Sequence, residues 1–118
     1  MYRVIFYEKA DGTVPVEAFL SELRPKLREK VMRSIQLLQE SGPLLCGEES
    51  KHIRDGVFEL RTIFGSDITR VFYFFFAGGN IVLTNGFIKK TQKTPRRELE
   101  RALRYKRDWE RRNVDEDL

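Results

Sequence analysis

The chain is poor in the residues that build cross-links and metal sites. Its 118 residues include one cysteine, Cys46, and one histidine, His52. A single cysteine excludes an internal disulfide framework and fits a reducing cytoplasm. One Cys and one His argue against a zinc site. No apolar run approaches the roughly 20 residues that a membrane-spanning helix needs. Met1 leads straight into a predicted strand, so no signal peptide is expected. There is no glycine-rich phosphate loop, no Ser/His/Asp set and no carboxylate pair in a glycosidase-like arrangement. Neither a cofactor nor a metal is expected.

What is present is a globular composition with a lopsided charge. Hydrophobic residues make up 41% and charged residues 34%, which fits one folded domain and not a disordered chain. The net charge is +4. Between Lys89 and Arg112 there are eleven Lys/Arg and four Asp/Glu, a local charge of +7, while the rest of the chain sums to −3. That segregation is either an ordinary solvated helix surface or the footprint of an anionic partner: nucleic acid, a membrane surface or an acidic protein segment.

Hydrophobic periodicity predicts an α+β order. Tyr2 to Tyr7 is a strand, dense in aromatic and β-branched residues. Pro15 opens a helix whose Val16, Phe19, Leu20 and Leu23 recur at helical spacing, with Pro25 as its stop. A second helix runs from about Lys26 to Glu40 with Leu27, Val31, Ile35 and Leu38 inward, and Gly42-Pro43 ends it. The two helices read as an antiparallel hairpin on the sheet. Lys51–Arg54, Phe58–Arg61, Ile68–Phe76 and Ile81–Lys89 read as strands, the third too apolar to be anything but central. Thr94 is the expected N-cap and Pro95 the first residue of a last, cationic helix. The domain is expected to span residues 1–112, with 113–118 an acidic flexible tail.

The turns set the expected register. Gly65-Ser66 suits a type II′ hairpin tip, which places Arg61 opposite Arg70. Gly78-Gly79 reads as a second two-residue tip, which places Arg70 opposite Phe87. Asp55-Gly56 reads as a third, which opposes His52 to Glu59. Residues two apart in a strand share a face. Arg61, Arg70, Phe87 and Lys89 are therefore expected to gather on one face, with His52 and Glu59 beside them. Directly opposed like charges are destabilising, and an anionic ligand would relieve that cost. A one-residue slip would break the cluster. His52 is either a site residue able to move a proton near neutral pH or an ordinary edge-strand residue. Glu59 is either a base or the ion-pair partner of Arg61.

A basic, aromatic surface suits metal-free RNA cleavage. Such a reaction needs help in deprotonating a 2′-hydroxyl, cations for the charge developing on phosphate, and a proton for the leaving 5′-oxygen. Arginine forks match phosphate oxygens.

Phe58-Glu59-Leu60-Arg61, Thr69-Arg70-Val71-Phe72-Tyr73, and Gly86-Phe87-Ile88-Lys89-Lys90-Thr91-Gln92-Lys93-Thr94-Pro95 followed by a Glu/Ala/Arg helix resemble the RelE/HigB family of type II toxin–antitoxin modules, and within it the phage-derived HigB-like toxins. The resemblance covers nearly the whole chain, and the Phe-x-Lys-Lys-Thr-Gln-Lys-Thr-Pro segment is its most specific part. It implies a microbial RNase fold: a twisted antiparallel sheet with an N-terminal helical hairpin and a C-terminal helix. It implies a cytoplasmic, metal-independent endoribonuclease that cuts mRNA on the ribosome and inhibits translation. A helix-turn-helix (HigA-like) antitoxin would silence it, and operator DNA would be met only through that antitoxin. By the resemblance, Arg70 is the phosphate-stabilising arginine, Lys89 and Lys90 are further basic residues, and Arg61 is catalytic or a brace. Lys51, Phe87, Lys90, Lys93, Arg96 and Arg97 are expected to hold RNA, Phe87 by stacking on a base. Where the best-known RelE pattern has lysines before the Arg61 position, this chain has Val57 and Glu59, and the tyrosine that follows the basic strand in that pattern has no clear counterpart. Proton transfer is thus open among His52, Glu59, Lys51 and the Lys89/Lys90/Lys93 group. Two other readings fit the same surface: a ParE-like inhibitor of DNA gyrase, which needs no phosphodiester chemistry, and a non-catalytic nucleic-acid-binding module.

Overall fold

A computed structural model describes residues 1–89 and 93–114. Five strands and three α-helices form an α+β domain: β1 (Arg3–Phe6), α1 (Pro15–Ser21), α2 (Pro25–Ser41), a 3-10 turn (Gly42–Leu44), β2 (Ser50–Arg54), β3 (Val57–Phe64), β4 (Asp67–Phe76), β5 (Asn80–Ile88) and α3 (Arg96–Arg112). The sheet order is β1-β5-β4-β3-β2. β2 through β5 form an antiparallel meander, but β1 lies parallel to β5, with Arg3 opposite Asn80 and Phe6 opposite Leu83. The sheet is therefore mixed, where an antiparallel one was expected. A parallel pairing asks for cover on both faces. Val4 and Phe6 join the core under α1 and α2, and Tyr7 joins the core under α3.

The helices divide between the two faces. Leu20 and Leu23, with Leu27, Val31, Ile35 and Leu38 of α2, pack on Leu60, Val71, Tyr73, Ile81 and Leu83. Ala102, Leu103 and Tyr105 of α3 cover Val57, Phe72, Phe74, Val82 and Phe87 on the other face. Tyr105 belongs to this inner stripe, and its ring stacks on Tyr7 with centroids 4.7 Å apart. β4, between two strands and under helices on both sides, is buried from Thr69 to Phe74.

The helical hairpin takes a different form from the expected one. α1 has seven residues against seventeen in α2. It packs on β5 and β1 while α2 packs on β3. The cause is local: Pro25 holds Arg24 extended (φ −58°, ψ 147°), and three residues separate the end of α1 from the start of α2. Pro25 both stops one helix and begins the next. Arg28 then closes the gap by donating Nε to the Leu20 carbonyl at 2.8 Å and Nη2 to the Leu23 carbonyl at 3.0 Å. Where α1 crosses β5, Gly86 is required: a Cβ there would lie 2.5 Å from the Phe19 ring.

The register at the heart of the sheet agrees with expectation, with Arg61 opposite Arg70 and Arg70 opposite Phe87. The second agreement rests on two offsets that cancel. The β4–β5 loop has three residues, Ala77 to Gly79, since Phe76 pairs with Asn80. A bulge then sets Thr84 and Asn85 against Phe72 and restores the register by Val71. At the Asp55-Gly56 turn (φ 50° and 81°) Arg54 opposes Val57 as expected. An irregularity between His52 and Arg54 then shifts the pairing, so His52 opposes Phe58 and Lys51 opposes Glu59. Lys90, at the centre of the basic motif, and residues 115–118 of the acidic tail lie outside the described residues.

Candidate functional site

Three strands and the approach to α3 build one charged cluster on the α3 face of the sheet. β3 presents Glu59 and Arg61, β4 presents Arg70 from the position opposite Arg61, and Lys89 follows the end of β5. Lys89 continues the ladder by donating its backbone N–H to the Ile68 carbonyl at 2.7 Å. From the other side, Lys51 of β2 stands opposite Glu59.

The cluster is organised by Glu59, which is 2% exposed. Its Oε1 accepts a hydrogen bond from Nη1 of Arg70, itself 3% exposed. Its Oε2 accepts one from the Thr94 hydroxyl at 2.8 Å. Both carboxylate oxygens are thus engaged, one by the neighbouring strand and one by the segment entering α3. Thr94 was expected to cap α3, but the hydroxyl serves Glu59, and Pro95 stands at the cap position with no side-chain cap. Glu59 pairs with Arg70 and not with Arg61, because on antiparallel strands a long side chain reaches the diagonal neighbour.

Arg61 is the cation left over. It is half-buried, its Nε is buried without a hydrogen-bond partner, and among the described residues its guanidinium has no carboxylate. Arg70 Nε is likewise buried and unpartnered. Burial pulls the Arg70 guanidinium below its usual value, Glu59 opposes that shift, and Arg61 adds to it. Burial, then Arg70, also holds the Lys89 ammonium below its usual value; Glu59 opposes, while Arg61 and Lys51 add. Lys89 therefore senses the whole cluster.

Other expected residues fall elsewhere. His52 is on the opposite face, edge-on to Phe58 at 5.0 Å, its Nε2 accepting the Gly56 N–H at 3.3 Å. The one-residue shift in β2 turned it away from the arginines. Phe87 is 8% exposed and packs on Phe72 in the core under α3, so it offers no face to a base. Lys93, Arg96 and Arg97 are exposed near the start of α3, with Arg96 held by Glu100 at 2.8 Å. The diagonal role of Glu59 was readable from the Arg61–Arg70 register. The use of Thr94 was not, since a Thr before Pro reads as a cap.

Among the described residues, no three His, Cys, Asp or Glu side chains assemble as a metal would require. No described helix is long and apolar enough to cross a membrane. What the cluster can do is bind an anion at Arg61, with Lys89 and the braced Arg70 adding positive charge.

The family described as Phage derived protein Gp49-like (DUF891) matches residues 18–107. That span runs from within α1 to within α3 and contains every residue of the cluster. No curated protein matches the chain.

Proposed function

The chain belongs to the Gp49-like family of phage-derived proteins, a RelE-like, toxin-type family, and from that premise we propose that it is the toxin of a type II toxin–antitoxin module: a metal-independent endoribonuclease that cleaves mRNA on the ribosome and so inhibits translation. One observation carries the reading. Of two opposed arginines on a rigid sheet, one is braced by a buried carboxylate and the other has no carboxylate among the described residues, beside a lysine whose proton is loosened.

The chemistry follows from that arrangement. The 2′-hydroxyl of a bound nucleotide gives its proton to solvent water as its oxygen attacks the adjacent phosphorus. The new O–P bond forms, the bond to the 5′-oxygen of the next nucleotide breaks, and a 2′,3′-cyclic phosphate and a 5′-hydroxyl result. Negative charge grows on the non-bridging oxygens. Arg61 contacts them with its fork of donors, and Arg70, paired with Glu59 on the neighbouring strand, holds the wall of the site opposite it. The lowered proton affinity of Lys89 makes its ammonium the donor to the leaving 5′-oxygen. Glu59 is a positioning residue, since both its oxygens are occupied and it holds Arg70 and Thr94 in place. Lys51, Lys93, Arg96 and Arg97 surround the cluster and would hold RNA backbone, with affinity that falls steeply in salt. In this reading a helix-turn-helix antitoxin silences the enzyme in the cytoplasm.

The test is mRNA integrity during brief induced expression, with cleavage sites mapped by primer extension and Arg61→Ala run in parallel. Cuts within translated regions that vanish in the variant are expected. Growth arrest with intact mRNA and DNA-damage signalling would replace this reading with gyrase inhibition. Binding of nucleic acid with neither cleavage nor arrest would reduce the protein to a binding module.

A further inference from the structure

The far end of α3 carries a second cationic feature. The four acidic residues of this helix are all engaged within the fold. Glu98 binds Asn85 and Arg101, Glu100 binds Arg96, Glu110 binds Lys106, and Asp108 binds Tyr7, Arg111 and Arg112. Arg97, Arg104 and Arg107 are exposed and, among the described residues, have no carboxylate. Arg97, Arg101, Arg104 and Arg111 recur at helical spacing and form one stripe.

This stripe ends in a concavity of about 520 Å³ between α3 and the β1–α1 connection. Arg104, Arg107, Arg111 and Lys9 line it, with the stacked Tyr7 and Tyr105 and a single acid, Asp108. Arg112 donates to the Glu8 carbonyl at 2.7 Å and so holds the connection that carries Lys9 against the helix. Two elements thus bring four cations around one cavity, whose only acid among the described residues already binds three partners.

Thirteen residues of chain, nearly all helical, separate Thr94 at the Glu59 cluster from Arg107. At 1.5 Å per residue that is about 20 Å, or about six nucleotides at the 3.4 Å spacing of a stacked strand. We propose that this concavity is a second RNA-backbone site, and that one single strand runs from the Arg61 cluster along the α3 stripe into it. The site reads phosphates and no base edges, because its donors are arginines and a lysine on an open surface. Arg104 and Arg107 have no carboxylate among the described residues, while Lys9 shares its charge with Asp11 at 3.9 Å and Arg111 with Asp108. The inference rests on the RNA reading of the Arg61 cluster, but its test does not require cleavage.

The experiment compares a 2′-O-methyl uridine trimer with the 12-mer, both unable to supply an attacking hydroxyl, by fluorescence anisotropy across a salt series. Only the 12-mer can span both sites. Arg104→Gln/Arg107→Gln is expected to reduce the ratio of 12-mer to trimer affinity about tenfold. It should also flatten the 12-mer's log–log salt slope by about 1.4, two phosphate contacts at 0.7 each. Lys9→Gln, on a different element, is expected to act in the same direction. An unchanged ratio in both variants overturns the second site. So does an equal loss for both lengths, or an oligoglutamate peptide that binds as tightly as the 12-mer, which would make the surface a protein-docking face. If the 12-mer binds as expected but no mRNA is cut in cells, the catalytic reading fails and the second site stands.

Discussion

Arg61 and Arg70 face each other across β3 and β4, and Glu59 neutralises only Arg70. The pair divides its labour. The buried member is held in place, and the half-buried one remains available to an anion.

Glu59 and Arg70 should prove strongly coupled. Removing one partner of a buried ion pair leaves an uncompensated charge and costs about 3–5 kcal/mol. Glu59→Gln is expected to lose stability on that scale in urea unfolding. Glu59→Gln/Arg70→Met, which removes both charges, should recover most of it, because an apolar replacement of the pair is close to neutral. Additive losses in the double variant would show that the two residues act separately.

Arg61→Ala should separate activity from stability. The substitution removes a like charge directly opposite Arg70, so stability should change by no more than about 1 kcal/mol. Cleavage should fall by about 100-fold or more, on the scale of losing one preorganised charge-stabilising donor. Arg61→Lys should recover little, since a point charge does not reproduce the two-pronged contact. Full activity in folded Arg61→Ala would remove this residue from the phosphate site.

Lys89 should set an alkaline limb. Its folded-state proton affinity is lowered, chiefly by burial and then by Arg70. A donor of this kind loses its proton as pH rises through the lowered value, so the single-turnover rate should begin to fall below the usual lysine range. Lys89→Arg stays protonated and should flatten that limb at a lower rate. The stability sign is opposite to that of a lysine gaining a partner. Between the folded and unfolded values the unfolded chain binds the extra proton, so stability rises with pH there. Lys89→Gln should therefore raise the unfolding midpoint while lowering the rate, and a lowered midpoint would contradict the burial argument.

Much of this arrangement was legible in the chain. Gly65-Ser66 is a two-residue tip, so the Arg61–Arg70 register followed from counting. The same counting succeeded at Phe87 only because a longer loop at Ala77 and a bulge at Thr84-Asn85 cancel. It failed at His52, where the irregularity after the Asp55-Gly56 turn had no compensating partner. Bulges leave no mark on a period-two pattern, so nothing in Lys51-His52-Ile53 announced the shift. Phe87 reads as a stacking residue for a related reason: an aromatic near lysines looks exposed until the helix that covers it has been placed, and α3 covers Phe87. The parallel pairing of β1 was hidden as well, because its partner lies more than 70 residues away in sequence.

The far end of α3 offers a test that is independent of RNA. The Tyr7 hydroxyl donates to Asp108 Oδ2 at 2.6 Å and joins the end of β1 to the helix. Burial and then Asp108 push Tyr7 up to about 12, and the same hydrogen bond, with Arg111 and Arg112, holds Asp108 below its usual value. The two groups bracket a pH window. Tyr7's contribution is complete below its unfolded value of 10.0 and is lost as pH rises through about 12. Asp108's is complete above its unfolded value of 3.8 and is lost as pH falls through its lower folded value. Tyr7→Phe should therefore cost about 1–2 kcal/mol at neutral pH, and the deficit should narrow above pH 10. By tyrosinate absorbance, one of the four tyrosines should titrate near 12 in the parent, and that step should be absent in the variant. Tyr73, which burial also raises, remains in both proteins and serves as the internal comparison. A titration curve with as many tyrosines titrating near 12 in Tyr7→Phe as in the parent would show that the Tyr7–Asp108 bond does not form in solution, and the anchoring of the β1–α1 connection to α3 would then rest on Arg112 and the ring stack on Tyr105.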